Sequence, residues 1–201
     1  MTDQSRPYRM RRRAESQQQT RRRITESAVE LHGTLGPSRT SISAVAAHAG
    51  VRRSTLYRHF PDEAALFDAC TAHWAAANPP PDLGLWASIP DPGERLSVAL
   101  TDLYTFYGRT EAMLENLFRD EETMPIVRER FAAFHAYFAS AQDALMAGRE
   151  LRGAAKRRTR AVLGHAIAFS TWKSLVREQG LKDAELAELM WALVRNAQGA
   201  V

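Results

Sequence analysis

Along residues 20 to 60 apolar side chains recur at helical spacing. Ile24, Ala28, Leu31 and Leu35 fall at i, i+4, i+7 and i+11, which predicts a first helix over about Thr20–Leu35 with one apolar stripe. Gly36-Pro37-Ser38 breaks it. Ile42, Val45, Ala46 and Ala49 then share the face of a short helix that Thr40 is placed to cap. Gly50 follows, where the chain must turn sharply at positive φ. Val51, Leu56 and Phe60 face back onto that helix, and Ala46 is small where the two would cross. Such a pair is a helix-turn-helix, whose second helix can enter a DNA major groove.

The remaining pattern is helical throughout. Asp62 is placed to cap a fourth helix running to about Ala77, and Asn78-Pro79-Pro80-Pro81 ends it. Residues 78–92 read as a long loop, but Leu83, Leu85, Trp86 and Ile89 make it a packed flap. Asp91-Pro92-Gly93-Glu94 opens a fifth helix that Gly108 is expected to stop. Thr110 begins a short sixth, and Thr123 caps a seventh ending at Gly148. An eighth is expected from near Ala154 to Gly180, and a ninth from Asp183 through Leu186, Leu189, Met190, Leu193 and Val194. No stretch alternates with period two. The expected fold class is all-α with about nine helices. Residues 1–18 form a disordered basic arm, 19–66 a three-helix DNA-binding domain, and 67–201 a helical ligand-binding and dimerisation domain.

Charge separates the two ends. Residues 1–60 hold twelve Arg, no Lys and four acidic residues, a balance of +8. Residues 61–201 hold fifteen Lys+Arg against nineteen Asp+Glu, a balance of −4. A basic end on an acidic body fits a polyanion binder with a separate second function. Arg6, Arg9 and Arg11 to Arg13 make the arm either a contact to phosphates or a narrow minor groove or a solvated tail with no ordered contact. Arg52, Arg53, Ser54, Thr55, Tyr57, Arg58 and His59 can each donate a hydrogen bond to a phosphate or base edge. Thr40 and Ser41, ahead of the first helix of the pair, complete the expected DNA contacts.

Residues 46–67, Ala-Ala-His-Ala-Gly-Val-Arg-Arg-Ser-Thr-Leu-Tyr-Arg-His-Phe-Pro-Asp-Glu-Ala-Ala-Leu-Phe, resemble the DNA-binding signature of TetR-type transcriptional regulators. The resemblance is specific over about residues 20 to 70. Two positions depart from the family pattern: Glu63, where Lys is usual, and Arg52, where a small or capping residue is usual. The resemblance implies a ligand pocket within helices four to eight and repression as the sign of action.

About 130 residues follow the DNA-binding part, far more than the ~50 a helix-turn-helix needs. One recognition helix reads few base pairs, so a two-fold homodimer on a palindromic operator is expected. Val162, Ala166, Phe169, Leu186, Leu189, Met190, Leu193 and Val194, on the last two helices, are the expected interface. A small-molecule pocket would be lined from Trp74, Trp86, Tyr104, Tyr107, Met113, Phe118, Phe134, His135, Phe138, His165, Phe169 and Trp172, large side chains of which several carry a polar tip; simple core packing is the alternative for each.

No catalytic or metal motif accompanies these features. There is no glycine-rich phosphate loop, Gly-x-Ser-x-Gly turn, HExxH or CxxC, and no cofactor is expected. His135 and His165 lack a carboxylate or thiol at ligand spacing. An architectural, ligand-independent DNA-binding protein is the competing reading, and a helical enzyme a more distant one. The aromatic middle argues against the architectural reading, because such a protein needs no large second core. The lone Cys70 reads as a buried thiol in a reducing compartment. No apolar run of eighteen residues would cross a membrane, and no secretory signal opens the chain. A cytoplasmic protein of a GC-rich bacterium is expected, since Arg outnumbers Lys 24 to 3.

Overall fold

A computed structural model describes residues 5–199, excepting the side chains of residues 5, 6, 7 and 9. Its helices are α1 (Ser5–Thr34), α2 (Ile42–His48), α3 (Arg53–His59), α4 (Glu63–Ala77), α5 (Leu83–Ala87), α6 (Pro92–Asp120), α7 (Pro125–Met146), α8 (Gly153–Ala166), α9 (Phe169–Trp172) and α10 (Asp183–Ala197). A 3-10 turn covers Pro37–Arg39 and a π-helical turn Lys173–Glu178. Among the described residues there is no strand, and the fold is all-α.

The chain divides into two compact units. The first holds the residues up to Pro79 together with Ala112–Arg130. It is therefore larger than the expected 19–66, because all of α4 and the residues around the α6–α7 connection join it. Its core is Ile24, Ala28, Ile42, Val45, Ala46, Ala49, Leu56, Phe60, Leu66 and Cys70. Burial pushes the Cys70 thiol up to about 12, which keeps it protonated and inert.

The basic arm was expected to be disordered, but α1 begins at Ser5. Arg, Gln, Glu and Ala are good helix formers, and Arg11 pairs with Glu15 one turn on at 3.0 Å. Residues 10–19 are exposed, so local propensity rather than packing carries this extension. Residues 1–4 of the arm and the side chains of Arg6 and Arg9 lie outside the described residues. At the other end α1 stops at Thr34, which leaves Leu35 beyond the helix and 44% exposed rather than on the stripe.

The α1 C-terminus leaves carbonyls without helical partners. Side chains from the end of α6 bind them. Asn116 Nδ2 donates to His32 O at 3.0 Å and Gly33 O at 2.9 Å, and Arg119 Nη2 donates to Leu35 O at 3.1 Å. Asp120, buried, accepts from the Ser38 N–H at 2.9 Å through Oδ2 and from Arg119 Nε at 2.8 Å through Oδ1. Gly36 sits at φ +93, and a Cβ there would collide with Arg119 and Asp120, so only glycine fits.

The second unit is Pro80–Glu111 with the residues from Phe131 onward. Gly108 does not end a helix: α6 runs on through it to Asp120, absorbing the expected helices five and six. A lone glycine costs a helix only about 1 kcal/mol, and a Cβ at Gly108 would stand 4.0 Å from the Trp172 ring. The proline-rich flap contains α5, capped by Asp82, and its Trp86 is fully buried with Nε1 donating to Asp102 Oδ2 at 2.9 Å. Thr123 does not cap α7; Pro125 is its first residue, a position where a missing N–H costs nothing.

The expected eighth helix is interrupted. It stops at Ala166 and resumes at Phe169. Tyr104 donates to Ala166 O at 2.9 Å and Tyr107 to Ile167 O at 2.5 Å, so two buried hydroxyls satisfy the carbonyls at the break. Buried Arg95 similarly donates to the carbonyls of Ile89, Pro90, Ala144 and Ala147. In α10 the N-cap position is Lys182, whose N–H reaches Glu185 Oε2 at 2.8 Å.

Candidate nucleic-acid interface

The helix-turn-helix forms as the spacing predicts. Ser41 rather than Thr40 caps α2, its Oγ accepting from the Ala44 N–H at 3.1 Å. Thr40 instead donates its hydroxyl proton to Gly36 O at 2.8 Å. Gly50 takes φ +63 at the turn, and the Val51 N–H reaches back to Ala46 O at 2.9 Å. Leu56 and Phe60 are fully buried and Ala46 nearly so, which fixes α3 by one face and turns the other to solvent.

On α3 and its N-cap, Arg52, Arg53, Ser54 and Arg58 are exposed, while Thr55, Tyr57 and His59 are half-buried. Arg53 Nη2 donates to the Tyr57 hydroxyl at 3.2 Å, and its guanidinium lies 5.4 Å from the ring centre. This pair pre-orders two phosphate- or base-seeking groups one turn apart. Partial burial, then the charges of Arg58 and Arg21, push the His59 pKa below its ordinary value. His59 is therefore neutral near pH 7 and can donate or accept at a base edge. Arg52 provides no side-chain cap. Glu63, exposed in the first turn of α4, puts a negative charge where an anion would otherwise be attracted.

One residue was missed. Arg21 Nη1 donates to His59 O at 2.5 Å, and its guanidinium stacks 4.1 Å from the Phe60 ring centre. It thus closes the C-terminus of α3 from α1. Its place in the Arg21–Arg23 run gave no sign of this, because the partner is a backbone carbonyl far along the chain.

The expected pocket residues fall in both units. Trp74, Met113 and Phe118 lie in the first unit, and the others in the second. There Tyr107 meets Tyr104, Phe138, Phe169 and Trp172, and Phe134 meets Phe138. His135 packs edge-on against Phe131, which lies on Phe134. Trp86 is held by Asp102, and exposed His165 bonds Thr171 at 3.1 Å. Of the expected interface residues, Ala166, Phe169, Leu186, Met190 and Val194 are buried within the chain, and Val162 is half-buried. Leu189 and Leu193 remain 42% and 40% exposed. Among the described residues no cluster of three or more His, Cys, Asp or Glu could hold a metal ion, and no helix is long and apolar enough to cross a membrane.

Residues 24–70 match the family described as bacterial regulatory proteins, tetR family. A comparison with curated proteins found no match. Solved structures match along nearly the whole chain. A candidate TetR-family transcriptional regulator from Mesorhizobium loti aligns at TM-score 0.62 and 17% identity, over 91% of this chain and 96% of its own. A candidate fatty acid metabolism regulator from Clostridium perfringens aligns at 0.60 and 15%, over 89% and 98%. The multidrug binding protein EbrR, complexed with imidazole, aligns at 0.51 and 22%, over 86% and 88%.

Proposed function

We propose that this chain, a DNA-binding regulator of the TetR type, is a repressor that holds a palindromic operator as a homodimer and releases it when a small molecule binds its second unit. The observation that carries the reading is α3 itself, buried through Leu56 and presenting Arg53, Ser54, Tyr57 and Arg58 outward. Arg53 and His59 are assigned to base edges, and Tyr57 and Arg58 to phosphates. Ser41 keeps its hydroxyl proton free to reach a phosphate while its oxygen caps α2. Two copies related by a two-fold axis would place two such helices on successive half-sites.

Leu189 and Leu193, exposed on α10, support an interface between copies there. The ligand reading draws support from the extent of the second unit and from EbrR, a multidrug binding protein on the same fold. The place of action would be the cytoplasm, where the DNA is. The test is selection of bound sequences from a random duplex pool by the purified full-length chain. Enrichment of an inverted repeat supports the dimeric operator reading; enrichment of an unrepeated sequence, or none at all, removes it.

A further inference from the structure

In the second unit, at the start of α6, lies a cavity of about 210 Å³ that neither the DNA-binding face nor the aromatic cluster uses. Leu96 and Val194 line it as buried apolar side chains and Trp191 as a half-buried ring. Arg149, Arg195 and Asp91 supply its charges.

The cations outnumber their partners. Arg149 donates from Nε to Leu145 O at 2.8 Å and from Nη2 to Pro92 O at 2.7 Å. Those bonds to neutral carbonyls orient the guanidinium, and among the described residues Nη1 has no hydrogen-bond acceptor. Arg195 lies 5.2 Å from the Trp191 ring centre and pairs with no carboxylate among the described residues. Arg95, nearby and buried, also spends its donors on carbonyls alone. Asp91 is committed to the Glu94 N–H at 2.7 Å as the cap of α6. Burial first, and then the charge of Arg95, hold the Arg149 pKa below its ordinary value, and the opposing charge of Asp91 offsets this only in part. One carboxylate at this cavity faces two guanidinium groups, with Arg95 nearby, and an anion would offset the excess positive charge.

We infer that this cavity binds a small organic monoanion: a carboxylate carried on a flat apolar body of about the size of a benzene ring. The guanidinium groups of Arg149 and Arg195 take the carboxylate, as a planar fork suits a planar anion. Trp191, Leu96 and Val194 take the flat body. Drug-sized pockets begin near ~300 Å³, so this space admits only a small ligand. A Cβ at Gly93 would stand 3.7 Å from Trp191 Nε1, so glycine there leaves the indole accessible. Binding at this site stands apart from the operator reading and is measured without DNA.

The test is isothermal titration of the full chain with benzoate, benzamide and inorganic phosphate. Benzoate should bind once per chain. Benzamide, which lacks the charge, and phosphate, which lacks the apolar body, should each bind at least about tenfold more weakly. Arg195→Glu reverses an exposed charge and should lower benzoate affinity by about tenfold or more with an unchanged melting temperature. Arg149→Met should do likewise, and if it fails to fold, Arg195→Glu alone decides. No benzoate binding in the millimolar range, equal binding of benzamide, or undiminished benzoate binding by folded Arg195→Glu would each overturn the assignment.

Discussion

Replacing Asp120 with Asn changes no volume and removes one charge, so it isolates what that carboxylate does. Asp120 is buried and accepts hydrogen bonds from the Ser38 N–H at 2.9 Å and from Arg119 Nε at 2.8 Å. An amide offers one oxygen and one NH2 group. If the oxygen keeps Ser38, the NH2 group faces Arg119, donor against donor. Arg119 is 41% exposed, so water can take over most of its pairing. A hydrogen bond to a charged partner is worth about 1.5–3 kcal/mol, and exposure of Arg119 discounts this to about 1–2 kcal/mol. Burial alone would raise the Asp120 pKa, but Arg119 and the Ser38 bonds outweigh it and hold it below the ordinary value. A depressed folded pKa contributes stability above the unfolded value of about 3.9, and that contribution is lost as pH falls through the folded pKa. Urea unfolding of wild type and Asp120→Asn should therefore show a lower midpoint for the variant at pH 7 with equal slope. The difference should shrink as pH drops below about 4. An Asn variant as stable as wild type at pH 7 would refute the view that this carboxylate fastens the turn leading into α2.

Leu193→Glu should leave each folded chain intact, because Leu193 is 40% exposed there, yet should yield monomers in sedimentation at micromolar concentration if α10 pairs between copies. A persisting dimer would move the interface elsewhere. Thr159 is fully buried and its hydroxyl has no partner among the described residues, so Thr159→Val should raise stability by about 1 kcal/mol in denaturant unfolding. A decrease in stability would mean that the hydroxyl has a partner after all. Deleting residues 1–18 removes five arginines, and for every phosphate these arginines neutralise the slope of log affinity against log salt should fall by about 0.9. An unchanged slope would make the N-terminal part of α1 a bystander in DNA binding.

The helix-turn-helix was legible because its constraints are local. Apolar spacing, a small Ala46, Gly50 at the turn and the Asp62 cap each follow from neighbouring residues, and each recurs in the structure. What escaped the pattern depends on distant partners. Arg21 closes α3 through a backbone carbonyl, and Asn116 and Asp120 fasten α1 and the following turn from the end of α6. Gly108 resembled a helix stop because a lone glycine looks alike in a cap and in a helix packed near an indole. The break after Ala166 was hidden too, since the tyrosine hydroxyls that stabilise it lie some sixty residues earlier. The residues expected at an interface on α10 divide by exposure within the chain. Leu186, Met190 and Val194 face their own chain, leaving Leu189 and Leu193 for any other surface.

In the proposed function α3 meets DNA through its outward face. The most direct measurement of this is a salt-matched titration of wild type, Arg53→Ala and Tyr57→Ala against a duplex enriched by selection and a scrambled one. Tyr57→Ala should weaken binding to both duplexes, because a phosphate is left without its hydroxyl donor. Arg53→Ala should cost about 1–3 kcal/mol on the enriched duplex and much less on the scrambled one. Wild-type affinity in both variants on the enriched duplex would contradict the placement of α3 as the recognition helix.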